Sequence, residues 1–200
     1  MTTPAPMYVP RFAVRQRITM MVNRYEIRAL APDGTEGGLL AFAQQKRMTF
    51  KEQVTFYADE AKSPAVFSFK ARQRLDVRAE NDVFDESGNP LGMFRKDFAK
   101  SCSAPRGWHL SAPGIEAVGQ ERRAGIAVLR RVWDVLPIVG DIPVPFLFHF
   151  DFVDANGATV LTSERQRSVR DRYTITVPDP RLDFRVAASM AVALDAFQGR

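Results

Sequence analysis

PRLDFRVAASMAVALDAF, the stretch from Pro180 to Phe197, decides how the rest of the chain must be arranged. Asp179 followed by Pro180 reads as an N-cap and first helical residue. Asp183 stands in the first turns, where the helix dipole favours a negative charge, and Gly199 offers a stop. The spacing predicts a helix over 180–197. Its middle (Val186, Ala187, Ala188, Met190, Ala191, Val192, Ala193 and Leu194) is apolar on every side, with only Ser189 polar, so no stripe is left for water. Such a helix must be surrounded. The unbroken apolar run from Val186 to Leu194, flanked by Asp183, Arg185 and Asp195, falls well short of the roughly 20 residues that a bilayer span needs.

Upstream, the chain alternates with the period of a strand. Phe146, Phe148, Phe150 and Phe152 fall on one face, with Leu147, His149, Asp151 and Val153 on the other. The same alternation recurs at Tyr25, Ile27 and Ala29, at Val54, Phe56 and Ala58, at Phe67, Phe69 and Ala71, at Leu75, Val77 and Ala79, and at Tyr173, Ile175 and Val177. Shorter candidates surround Phe12, Ile18 to Val22, Leu39 to Ala43, Val83, Leu91 to Phe94, Ile115, Ala127 to Val132 and Thr159 to Leu161, which brings the count to about a dozen. Pro32-Asp33-Gly34, Glu86-Ser87-Gly88-Asn89 and Ala155-Asn156-Gly157 are hairpin punctuation, so the strands should run as an antiparallel meander. Pro137 to Pro145 is a long irregular connection, and no linker divides the chain. We expect a flexible tail over 1–10 and one domain over 11–200.

Geometry then joins the two halves of the reading. A barrel of eight strands is filled by its own side chains, whereas a helix is about 10–12 Å across, so a barrel that encloses one needs roughly eleven or twelve strands. Leu182, Phe184, Val186, Met190, Val192, Leu194 and Phe197 would contribute roughly 10–20 kcal/mol if all were buried, as an upper bound. The expected fold is mainly β: a barrel of about twelve antiparallel strands enclosing a hydrophobic C-terminal helix.

Composition limits the chemistry. The net charge of +5 and the pI near 9.7 suit anionic partners. With 22 Arg against six Lys the basic residues are mostly guanidiniums, a bias that needs no functional cause. A lone Cys102 excludes an internal disulfide and a thiolate metal cluster. Met1 to Pro10 has no apolar run resembling an export signal, so a cytoplasmic location is the default, and no cofactor is expected. His149 and Asp151 share a strand face and could join His109 in a two-histidine, one-carboxylate iron site, but the simpler reading has both facing solvent. Cys102 with His109 could form a nucleophile and base, although spacing places no third orienting group. Trp108 reads as the filling of a barrel end.

The basic candidates are Arg165, Arg167, Arg170 and Arg172 on the hairpin around Ser168, where guanidiniums gathered on the outer surface could hold a headgroup phosphate. The plainer reading is a solvated surface partly neutralised by Glu164 and Asp171. Arg122-Arg123 and Arg130-Arg131 are weaker versions, because neighbouring strand residues point opposite ways. Nucleic acid is disfavoured because the aromatics alternate inward and are not interleaved with basic residues on an exposed face.

The runs Phe12-Ala13-Val14-Arg15-Gln16-Arg17, Asn23-Arg24-Tyr25-Glu26-Ile27 and Val83-Phe84-Asp85-Glu86-Ser87-Gly88-Asn89-Pro90-Leu91-Gly92, then Asp154 to Gly157 and the closing apolar helix, together resemble the LURP-one-related family. That family is grouped with the phospholipid scramblases and the tubby C-terminal domain, and the resemblance covers about residues 11 to 198. It implies a tubby C-terminal-like barrel of twelve strands around its last helix, and a non-enzymatic module that binds anionic phospholipid headgroups or a protein partner, peripheral to a membrane. The chain departs from the calcium pattern of scramblases, since Asp85 to Asn89 lacks the alternating carboxylates and distal Glu of a calcium loop. It also lacks the palmitoylated cysteine cluster of many eukaryotic scramblases, since Cys102 is alone. The alternative is a carrier of a small apolar ligand, of the helix-grip type, whose last helix lies across a curved sheet.

Overall fold

Alternation of inward apolar and outward polar residues produces twelve strands, each short enough to cross a barrel wall once. The computed structural model describes residues 6–18, 22–46, 53–72, 80–96, 107–122, 149–166 and 172–198. The strands are β1 (Arg11–Ile18), β2 (Val22–Leu30), β3 (Glu36–Lys46), β4 (Gln53–Tyr57), β5 (Ala65–Ala71), β6 (Glu80–Asp85), β7 (Pro90–Lys96), β8 (Trp108–Ala112), β9 (Ile115–Glu121), β10 (His149–Asp154), β11 (Thr159–Arg165) and β12 (Arg172–Thr176). One helix, α1 (Phe184–Gln198), follows them. Every strand pairs antiparallel with its chain neighbours, and β1 pairs with β12 to close the barrel, aligning Phe12 with Ile175 and Val14 with Tyr173.

The barrel encloses α1. Val186, Ala187, Ala188, Ser189, Met190, Val192 and Ala193 are wholly buried, so every face of the helix meets wall. Phe184 enters at one mouth, with its ring edge-on to Phe12 at 5.1 Å and to Phe67 at 6.1 Å. This enclosure overturns the helix-grip alternative, in which one flank of the helix would lie outside the sheet. At Gly92 of β7 a methyl group would stand 2.6 Å from the Ser111 carbonyl oxygen and 3.2 Å from Val186 of the helix, so only glycine fits.

Two sequence expectations need correction. The helix begins at Phe184, four residues after Pro180, because Asp183 is its cap. The Asp183 carboxylate accepts the Arg185 N–H at 2.8 Å, and its carbonyl accepts those of Val186 and Ala187 at 3.1 Å. Asp179 instead closes the preceding turn, accepting the Arg181 N–H at 2.9 Å. Nor are residues 7–10 a loose tail. The Met7 N–H donates to Asp183 at 3.0 Å, the Met7 carbonyl accepts the Phe184 N–H at 2.7 Å, and the Pro10 carbonyl accepts the Val177 N–H at 2.8 Å. The Met7 carbonyl thus satisfies the Phe184 donor that the helix start leaves open.

The hairpin turns follow the expected chemistry. Asp85 and Asp154 each accept two backbone N–H groups ahead of them, from Ser87 and Asn89 and from Asn156 and Ala158, at 2.7–2.9 Å. Gly88 and Gly157 supply the positive φ at which each turn closes. Strand β8 is an addition to the sequence reading: of its five residues Trp108, Leu110 and the small Ala112 face inward, too short a run to stand out as a period. Trp108 is buried as expected. The candidate strands at Leu75 to Ala79 and Ala127 to Val132, the Pro137 to Pro145 connection, and Phe146 and Phe148 lie outside the described residues.

Candidate functional site

The helix fills the centre of the barrel, and the chemistry lies in the polar groups. One buried cluster sits around Asp195 in the last turns of α1, which accepts hydrogen bonds from the hydroxyls of Tyr25 at 3.0 Å and Tyr173 at 2.7 Å. Burial and then the nearby Asp195 charge push the Tyr25 hydroxyl well above its ordinary pKa. This clasp joins the helix to β2 and β12 and is structural.

The catalytic candidates do not assemble. His109 aligns with Val118 of β9, which aligns with Val153 of β10, four residues along the strand from His149. Asp151 is bound bidentately by Arg122, at 2.5 and 2.6 Å, and Arg122 also holds Glu164 at 2.6 Å. The hydrogen bonds that Arg122 donates to Asp151 and Glu164 raise its pKa above the ordinary value. Cys102 lies outside the described residues. Among the described residues no three His, Cys, Asp or Glu side chains converge on a point that could hold a metal ion.

Of the four predicted basic residues, Arg167 and Arg170 lie outside the described residues. The structure does not gather the other two. Arg165 is aligned with Tyr173, and directly opposed residues project to the same side, so Arg165 belongs to the inward-facing row of Ser163 and Ile175. Arg172 faces outward, as expected.

What Arg172 joins is a different cluster. On β1, Phe12, Val14 and Gln16 are buried, which turns Arg11, Arg15 and Arg17 outward. On β2, Tyr25 and Ile27 point in, and Arg24 and Arg28 align with the outward Arg17 and Ala13. Six guanidiniums therefore share the outer face of β12, β1 and β2. Two pairs are directly opposed, Arg15 with Arg172 and Arg17 with Arg24, an arrangement that repels unless anions intervene. Two carboxylates do so. Glu26, almost wholly buried, pairs with Arg17 at 2.8 Å and Arg28 at 3.5 Å. Glu36 bridges Arg15 at 2.6 Å and Arg172 at 2.5 Å. Arg24 is exposed, with no hydrogen bond or ion pair among the described residues.

Glu36 reaches this face because the β2–β3 hairpin bends back across it. The ladder slips twice, after Ile27 and after Arg28, and the tip also brings the Pro32 carbonyl to Arg11 at 2.9 Å. Elsewhere among the described residues, Arg72 has Asp82 and, shared with Arg95, Glu80, while Arg122 has Asp151 and Glu164, and Arg181 has Asp179. Among the described residues, arginine charge is left over on the β12–β1–β2 face. Its signal, arginine at most of the alternate positions of two successive strands (11, 15 and 17, then 24 and 28), was present in the sequence, but the alignment of β12 beside β1 was not.

A family model described as LURP-one-related matches residues 40–195. The chain belongs to the LURP-one-related family. No curated protein matches it. The matched region of this LURP-one-related chain runs from β3 into α1 and leaves out β1 and β2, so the match does not extend over most of the arginine face. Among its described residues no helix is long and apolar enough to cross a membrane.

Proposed function

We propose that this LURP-one-related barrel is a non-catalytic module that docks on a membrane surface rich in anionic phospholipid headgroups, through the outer face of β12, β1 and β2. The observation that carries the reading is the uncompensated charge: six arginines against Glu26 and Glu36, with two arginine pairs directly opposed. Phosphate oxygens suit such a surface, because guanidinium donates two parallel hydrogen bonds and sheds its hydration readily. The enclosed helix supports the reading too, since it makes the barrel a filled platform that offers its outer surface and not its centre.

Flotation with vesicles tests this. Vesicles containing phosphatidylserine or a phosphoinositide should carry the protein at low salt and release it as ionic strength rises, while vesicles of phosphatidylcholine alone should not. Replacing Arg17 and Arg24 together by Ala should weaken attachment roughly thirtyfold, at about 1 kcal/mol for each arginine near the surface. Absence of flotation at low salt would overturn the reading in favour of a protein partner.

A further inference from the structure

We propose that Arg15 and Arg172 form a phosphate-binding site that Glu36 fills from within the chain, and that a phosphate dianion or monoester takes the place of this carboxylate. The inference rests on reading the face as an anion surface, and adds to it a definite site with a built-in competitor.

Three observations converge. First, Arg15 and Arg172 stand directly across from one another, so an anion between them is required whatever its origin. Glu36 meets that need in the manner of a bound ligand. One carboxylate oxygen accepts from Arg15 Nε at 2.9 Å and Arg172 Nη2 at 2.5 Å, while the other takes Arg15 Nη2 at 2.6 Å. That two-armed clamp is the geometry guanidiniums use on phosphate. Second, the carboxylate does not exhaust the site. Arg172 Nε is buried with no hydrogen-bond partner among the described residues, and a single negative charge stands against two positive ones. A phosphate brings further acceptor oxygens, and as a dianion it balances both guanidiniums. Third, Glu36 is displaceable. It is the first residue of β3, paired with Leu30 at the open end of the β2–β3 ladder, with Gly34 (φ +88°) just before it and Gly37 and Gly38 just after it; methyl groups on Gly34 and Gly38 would meet nothing within 4 Å. At the end of the ladder the Glu36 side chain can rotate away from the two guanidiniums, and the glycines on either side leave its backbone room to adjust. Glu26 differs, being buried in the ladder opposite Arg15, and it stays when Glu36 leaves.

The experiment is chemical rescue of thermal stability. Glu36→Ala should lower Tm at low salt by roughly 2–6 °C, because it leaves two opposed cations without their anion. Inorganic phosphate should restore most of that loss, where potassium chloride of equal ionic strength restores much less, and the wild type should gain little from either. Glu36→Gln, which keeps the side chain's size, should respond in the same way and serves if the alanine variant does not fold. Adding Arg172→Ala should abolish the phosphate-specific gain. Equal responses to phosphate and chloride in both Glu36 variants would overturn the site. Vesicle flotation of the same proteins separates the two readings. Rescue by phosphate without flotation retains the site and removes the membrane, whereas flotation of the wild type without rescue retains the membrane and removes the site.

Discussion

A methyl group on Gly119 would stand 2.5 Å from Cε1 and 2.7 Å from Cζ of Phe152, whose ring lies across β9 where Trp108, Gly119 and Phe152 face inward together. Gly119→Ala therefore forces the ring to move inside a filled barrel. Overpacking of this kind costs about 1–3 kcal/mol, which should lower Tm by roughly 3–10 °C, and Phe152→Leu in the same protein should recover part of the loss. Titration acts at the same scale. The Ala158 and Asn156 N–H groups hold the Asp154 carboxyl below the ordinary range, and the Asn89 and Ser87 bonds do the same for Asp85 against the opposing effect of its burial. A carboxyl depressed in the folded state adds stability that is complete above its unfolded value, near about pH 3.9, and that drains away as pH falls through the folded value. Tyr25 works at the other extreme, because the fold holds its proton and the unfolded chain gives it up first above about pH 10. Thermal melts across pH should show an acid limb below about pH 4, shallower in Asp85→Asn with Asp154→Asn, and an alkaline limb above about pH 10.

At the scale of elements, α1 and the inward rows of the strands form one hydrophobic core, so the wall loses its apolar filling without the helix. Deleting Asp179 to Arg200 should give insoluble protein, and a soluble truncation with a cooperative melt would contradict the architecture. The helix and most strands were legible because their periods differ. A stretch that is apolar all round, as at Val186 to Leu194, can only be interior, and strict alternation, as at Tyr173, Ile175 and Val177, can only be wall. The start of the helix was not legible, because Asp179 and Asp183 are equally good caps by type. What separates them is Met7, whose backbone docks on Asp183 and Phe184 from the far end of the chain. Strand β8 escaped notice for a related reason: its identity as a strand comes from its ladders with β7 and β9 and not from its own five residues.

Seen whole, the molecule is a filled cylinder with unevenly distributed charge. Among the described residues, arginine surplus lies along β12, β1 and β2, while the β9–β11 wall sets Arg122 against two carboxylates. This unevenness explains why the candidate site was only partly legible. The sequence showed basic residues and which way each should point. The neighbours of Arg172 depend on closure of β1 against β12, a pairing between opposite ends of the chain that no local pattern encodes. Bulges in the β2–β3 ladder, which swing Glu36 onto that seam, are equally invisible to a count of alternating residues. The order of parts along the chain has a further consequence. Translation delivers the container before its contents, and the seam joins the earliest strand to the latest. Intermediate lengths emerging from a ribosome thus have a sheet without stuffing and a first strand without a mate. Folding should be a late, single event, with chaperones guarding a greasy, half-built shell until its final turns arrive.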